Sequence, residues 1–303
     1  MISTDIPRWR HDTPGAATVN HLNNAGAGLM PSPVLDAITA QLELESRIGG
    51  YEAEAKKADA SAATYQALAQ VLGARTKNAS HQITYLALKE RRGIDVIRVR
   101  ESPLGGADLE DFRLQVRHPR VRLATICWSP TNSGLIQDVP APVSLCREAG
   151  VPGFVDGCQA VGQVPVNCAE LGCDFLGGTS RKFLRGPRGL GFLYVSERAL
   201  EEGRYPLNLD GRGATWDEVD RFVLPPTAQR FENWEFPYAL VEGLGATARY
   251  ALEVGIEVGS RRALELAALA RVRLASLPGV SILDRGATLG AIVSAVSRGG
   301  MPT

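Results

Sequence analysis

The sequence predicts an α/β protein: a mostly parallel sheet with helices on both faces, followed by a smaller α+β C-terminal part. Three observations carry this. The runs at 121–128, 151–155 and 174–178 are short and almost continuously apolar, as strands covered on both faces must be. Helical stretches alternate with them, the pattern of right-handed crossovers between parallel strands. Asp156 ends one such strand and Lys182 follows the next. That places an acid and an amine at the sheet edge where open α/β folds hold ligands.

The elements follow in order. Residues 1–20 are polar and irregular. Residues 21–28, His-Leu-Asn-Asn-Ala-Gly-Ala-Gly, form a small-residue strand-to-loop segment. It is either a tight turn before a helix or a place where backbone approaches a ligand closely. Ser32 as N-cap and Pro33 at the first helical position predict a helix over 34–46. Gly49-Gly50 breaks the pattern. A second helix over 52–72 carries Tyr65, Leu68, Val71 and Leu72 on one stripe, and Gly73 ends it. A helix over 81–91 and a strand over 95–99 come next. Helices over 109–116 and 140–149 flank the 121–128 strand. The run 191–195 closes the unit. Long helices over 237–254 and 260–276 precede strands at 280–283 and 290–296. The division expected is 1–30 as an N-terminal segment, 31–235 as a large α/β domain and 236–303 as a small C-terminal domain.

Bulk properties narrow the function. The chain has 303 residues, 45% hydrophobic and 22% charged, ordinary values for a soluble globular protein. Lys+Arg and Asp+Glu both number 33, so no basic excess points to nucleic acid. The N-terminus lacks an apolar signal core, and no run approaches membrane-spanning length. The five cysteines form no CxxC pair, which suggests reduced thiols, a cytoplasmic location and no metal site. None of the four histidines, His11, His21, His81 and His118, sits in a ligand-like cluster.

The chemistry concentrates in 151–195. An acid and a lysine at one sheet edge suit an aldehyde cofactor with a pyridine ring, which needs an amine partner and a carboxylate at the ring nitrogen. The motifs are Asp156-x-x-Gln159, the turn Pro130-Thr131-Asn132-x-Gly134, and Thr179-x-Arg181-Lys182 followed by Phe183-Leu184-Arg185-Gly186-Pro187-Arg188-Gly189. This set resembles the class V, fold-type-I aminotransferases. These are pyridoxal 5′-phosphate enzymes that include cysteine desulfurases, selenocysteine lyases and isopenicillin-N-epimerase-like proteins.

The resemblance implies a role for each residue. Lys182 is the Schiff-base lysine and α-proton base. Asp156 pairs with the ring nitrogen. Gln159 and Asn132 lie near the phenolic oxygen, although Asn132 reads equally well as plain turn chemistry. Thr179 and Arg181 contact phosphate, with Arg185 a further phosphate candidate. Arg181, Arg185 and Arg188 supply positive charge that lowers the pKa of Lys182. Cys158 reads as a small buried residue beneath the cofactor and not as a sulfur carrier. Arg230 and Asn233-Trp234 match a segment that reaches a partner's cofactor across a homodimer interface, although Gly-Thr is usual where Asn-Trp stands here.

The wording around Lys182 is closer to the epimerase-like and lyase branch. It implies a lyase or transaminase acting on a small amino acid, with cysteine desulfuration as an alternative. Two departures from the family stand out. Relatives carry a few dozen more residues between segments like 79–82 and 83–88. That piece holds the phosphate-binding loop, the residue that stacks on the ring and at least one strand. Relatives also continue past Thr303, so the small domain reads as truncated, without the arginine for the substrate carboxylate. A natural shortened form, a gene-model error and a divergent weak binder are the readings of the internal junction. A non-catalytic relative that keeps the fold is therefore the rival function.

Overall fold

A computed structural model describes residues 5–72 and 82–297. Gly73 and the 79–81 part of the junction lie outside the described residues. The helices are α1 Ile6–His11, α2 Ser32–Ile48, α3 Gly50–Lys56, α4 Ala58–Leu72, α5 Gln82–Arg92, α6 Leu109–Val116, α7 Pro140–Glu148, α8 Cys168–Leu171, α9 Glu197–Glu201, α10 Tyr238–Val254 and α11 Ile256–Ala275. The strands are β1 Ala124–Cys127, β2 Gly153–Asp156, β3 Phe175–Thr179, β4 Gly191–Val195, β5 Thr215–Glu218, β6 Arg221–Val223, β7 Val280–Ile282 and β8 Ala295–Ser297.

The main sheet has the order β1-β2-β3-β4. β1, β2 and β3 run parallel, with Cys127 opposite Asp156 and Asp156 opposite Gly177. β4 returns antiparallel to β3, from Gly191 opposite Thr179 to Val195 opposite Phe175. Successive side chains on a strand point to opposite faces, and that alternation divides the core in two. Val155, Leu176 and Phe192 join the larger cluster with Leu68 of α4, Phe112 of α6, Val143 of α7 and Leu244 of α10. Their neighbours Phe154, Leu193 and Val195 join a second cluster with Ala199 of α9 and Ala228. Both faces are therefore covered, which is why β2, β3 and β4 are nearly all apolar.

Several boundaries differ from expectation, each for a local reason. The helix expected over 52–72 is split at Lys57, whose N–H bonds to both Ala53 and Glu54 carbonyls and tightens the turn. Ser32 is not an N-cap. α2 starts at Ser32 itself with no side-chain cap, and the Ser32 N–H goes to Asp12 O at 2.7 Å. Asp108 does cap α6, accepting from the N–H groups of Glu110 at 3.0 Å and Asp111 at 3.1 Å. Residues 95–99, expected as a strand, form no ladder among the described residues, since a strand exists only with a neighbour to bond. The β5–β6 hairpin had no expectation attached to it. No helix is long and apolar enough to cross a membrane among the described residues.

Asp174 ties the strands to α9. It is almost fully buried, accepts from Gly153 N–H at 2.9 Å and pairs with Arg198 at 2.6 Å. A buried carboxylate bonded on both sides in this way is satisfied rather than stranded.

Candidate active site

The parallel register carries Asp156 and Lys182 to one edge. Asp156 is the last residue of β2, and Lys182 lies three residues past Thr179, where β3 ends. Asp156 Oδ1 accepts from Cys158 N–H at 3.0 Å, and its carbonyl accepts from Trp128 N–H at 3.0 Å. Gly162, at φ +86°, lets the turn after Asp156 press on the lysine loop; a Cβ there would lie 2.5 Å from Leu184 N.

Lys182 is 9% exposed. Burial depresses its pKa, and Arg181 adds to that, against the opposing charge of Asp156. Cys158 and Cys127 would oppose it too, but only as thiolates. Burial, reinforced by Asp156, pushes Cys158 up to about 12 and Cys127 up to about 11, so both are neutral thiols at pH 7. The net result is an amine with more of its neutral, nucleophilic form.

Gln159 is fully buried. Its Nε2 donates to Thr131 Oγ1 and to Ala25 O, both at 3.1 Å, while its Oε1 has no partner. A buried polar atom left open at a site is a place for a ligand atom. The small-residue segment closes the same site. Arg181 donates to Gly26 O, and Gly28 N–H donates to Arg181 O at 2.8 Å. A Cβ on Gly28 would stand 2.8 Å from Lys182 O, so close backbone approach is what these glycines permit.

Other candidates are placed differently. Thr179 is at the end of β3, but its hydroxyl is donated to Leu190 O at 3.2 Å. The hydrogen that a phosphate oxygen would accept is thus in use. Asn132 is exposed, and the contact it makes is through its carbonyl, which accepts from Ser294 Oγ at 3.0 Å. Its neighbour Thr131 is the turn residue that meets Gln159.

Arg185 is engaged with the N-terminal segment and Tyr250. It donates to Leu29 O at 2.9 Å and Thr13 Oγ1 at 2.5 Å, and it sits over the Tyr250 ring. Arg188 is exposed, so Arg181 is the arginine that acts on Lys182. Arg230 is engaged inside its own chain. It is buried and donates to the carbonyls of Pro225, Leu200 and Arg204, which pins it within its own chain. Trp234 is half exposed. Sequence reading missed Thr131 and Gln163 as partners of Gln159, although Thr131 stands inside the quoted Pro-Thr-Asn motif.

The acid, the desolvated amine and the open amide oxygen fit the ring half of pyridoxal phosphate. Residues 61–301 match the family model described as Aminotransferase class-V. The chain belongs to the class V aminotransferase family. Pyridoxal 5′-phosphate is the cofactor that this membership supports.

The chain is 39% identical over 109 residues to the cysteine desulfurase IscS of Mannheimia succiniciproducens, covering 36% of this chain and 26% of that protein. It is 29% identical over 202 residues to a probable cysteine desulfurase of Methanothermobacter thermautotrophicus, covering 66% of this chain and 50% of that one. The matched stretches thus span half or less of these relatives' length. Among solved structures, an apo cysteine desulfurase from Thermococcus onnurineus NA1 has a TM-score of 0.84 at 22% identity, over 100% of this chain and 85% of that chain. A cystine C–S lyase in complex with cysteine persulfide has a TM-score of 0.81 at 22% identity, over 94% and 86%. The family fold is the mostly parallel α/β architecture described above.

Proposed function

We propose that this class V family member is a pyridoxal-phosphate enzyme acting at the α-carbon of a small amino acid, as a lyase or aminotransferase. The observation that carries the reading is the meeting of Lys182, Asp156 and the open Gln159 oxygen at one sheet edge. When bound, the cofactor supplies an electron sink for the substrate's α-carbon. Lys182 would be the amine that holds the cofactor and then takes up the α-proton. Asp156 would favour the protonated ring nitrogen. Gln159 and Asn132 would serve the phenolic oxygen, and Thr179 and Arg181 the phosphate. Thr179 must turn its hydroxyl from Leu190 to act there.

Between the outcomes, cleavage of a β-bond such as C–S is favoured by relatives named cysteine desulfurases and a C–S lyase. Desulfuration proper is the second reading, supported by those same names. It needs a thiolate to take up sulfur. Cys158 and Cys127 beside Lys182 are held as neutral thiols, which favours the lyase reading for these two. We further propose a cytoplasmic homodimer. Five free cysteines support the compartment, and exposed Trp216, Val219 and Phe222 on the β5–β6 hairpin support the self-association. Sedimentation of wild type against Trp216→Glu tests the latter: the dimer is expected to weaken, and a monomeric wild type rejects it.

The test of activity is direct. Purified protein mixed with pyridoxal phosphate is expected to gain a visible band that Lys182→Ala lacks, with borohydride trapping an adduct at Lys182. No lysine-dependent band and no adduct would overturn the reading in favour of a non-catalytic relative. A panel of amino acids and cysteine conjugates, followed for pyruvate and sulfide, then identifies substrate and outcome.

A further inference from the structure

Residues 284–294 grip both the turn that carries Thr131 and, through Gln163, the Gln159 backbone. On the Thr131 side, the fully buried Asp284 accepts from Gly134 N–H at 2.8 Å and Ser294 N–H at 3.1 Å through Oδ1. Its Oδ2 accepts from Arg271 Nε at 2.8 Å. Arg271 donates again to Gly290 O at 2.8 Å and to Ile292 O. Gly290 N–H returns to Gly134 O at 2.6 Å, and Ser294 Oγ reaches Asn132 O. On the Gln159 side, Gln163 is completely buried. Its Nε2 donates to Gln159 O at 2.6 Å, while its Oε1 accepts from Ala291 N–H. The fit is tight: a Cβ on Gly290 would lie 2.2 Å from Gln163 Oε1.

We propose that Gln163 and Asp284 are positioning residues through which the 284–294 segment sets the spacing between Gln159 and the Thr131–Asn132 turn, and so aims the open Gln159 oxygen at bound cofactor. The inference rests on the pyridoxal-phosphate reading above. Its physical basis is saturation. Both ends of the Gln163 amide are used, and three of the Asp284 acceptor sites are filled, one by the Arg271 guanidinium. Neither side chain has a cheap alternative position, because each buried group left unpaired costs free energy. A shift of 284–294 is therefore transmitted to Gln159 and Thr131 instead of being absorbed. Neither Gln163 nor Asp284 has a hydrogen bond to Lys182 among the described residues, so their effect is on aim and not on bond-making.

The experiment compares wild type, Gln163→Leu and Asp284→Asn. Three readouts are the cofactor dissociation constant, the pH midpoint of the visible band, and amide exchange of residues 131–137 in cofactor-free protein. Gln163→Leu is expected to weaken cofactor binding about fivefold, the loss of about one net hydrogen bond. It is expected to move the band's midpoint by about half a pH unit, with Lys182 still trapped by borohydride. Asp284→Asn is expected to act in the same direction and to speed exchange at Gly134. If Gln163→Leu does not fold, Asp284→Asn is read on the same axes. Folded variants with lower stability but an unmoved midpoint and affinity would reduce both residues to a structural role and overturn the inference. A wild type without a lysine-dependent band instead sinks the cofactor reading, and this inference with it.

Discussion

Gln159 donates its side-chain amide to Thr131 Oγ1 at 3.1 Å and leaves its own carbonyl oxygen buried without a partner. Two elements distant in sequence, the turn after β1 and the turn after β2, are joined by that bond. The open oxygen is an uncompensated cost in the cofactor-free protein. Gln159→Leu removes it, but also abandons Thr131 and Ala25 O. These terms nearly cancel, so the cofactor-free melting temperature is expected to stay within a few degrees. Cofactor affinity is expected to fall about tenfold, near 1.4 kcal/mol. Thermal melts and titration of the visible band check the two halves separately.

Lys182 ties stability to alkaline pH. Its folded pKa lies below the unfolded value, so the unfolded chain binds more protons wherever pH lies between the two. Stability from this group therefore rises as pH climbs through the folded pKa toward the ordinary lysine value of 10.5. Below the folded pKa the full penalty of a buried ammonium applies. Lys182→Met keeps the apolar stem and removes the charge. Cofactor-free Lys182→Met is expected to be more stable than wild type at pH 7, by on the order of 1 kcal/mol, with the gap closing toward pH 10. Urea titrations at several pH values would show it; a gap that widens with pH contradicts the assignment.

Arg185 is held in the left-handed region, at φ +67°, the one non-glycine residue there among those described. The chain reverses at this point just after Lys182, and Arg185 N–H returns to Lys182 O at 2.9 Å. Its guanidinium anchors the turn to Leu29 and Thr13 of the N-terminal segment. Arg185→Ala loses the anchor and keeps the strain, so a loss of about 3 kcal/mol is expected. Arg185→Gly loses the same anchor but relieves the strain, and is expected to be more stable than Arg185→Ala by about 1 kcal/mol. Denaturant midpoints of the two variants decide it.

The strands and the acid–lysine pair were legible because they depend on local pattern. Residues buried on both faces must be apolar in an unbroken run, as Phe154-Val155 and Phe192-Leu193 are. Strand ends then locate Asp156 and Lys182. What depends on a distant neighbour was not legible. Residues 95–99 have strand-like residues but no partner strand among the described residues. Arg185 and Arg181 look alike in sequence, yet one turns to Tyr250 and the other to the carbonyl of Gly26. Gln163 lies four residues past Gln159 on an unremarkable turn, and only folding brings Ala291 to it.

Gly162 offers the last test of how the two turns meet. At φ +86° it takes a conformation that side chains resist, and an added Cβ would stand 2.5 Å from Leu184 N and from Phe183 C. The contact is with backbone, which cannot swing aside as a side-chain tip can. Gly162→Ala is therefore expected to force the 180–186 loop away from the turn that follows Asp156. The cost combines left-handed strain of about 1 kcal/mol with overpacking of about 1–3 kcal/mol. Because that movement separates Lys182 from Asp156, borohydride trapping at Lys182 is expected to slow in protein that is still folded. Measuring the trapping rate beside the denaturation midpoint separates the two effects. An unchanged rate in a destabilised protein would mean that the loop yields elsewhere and the acid–lysine geometry survives.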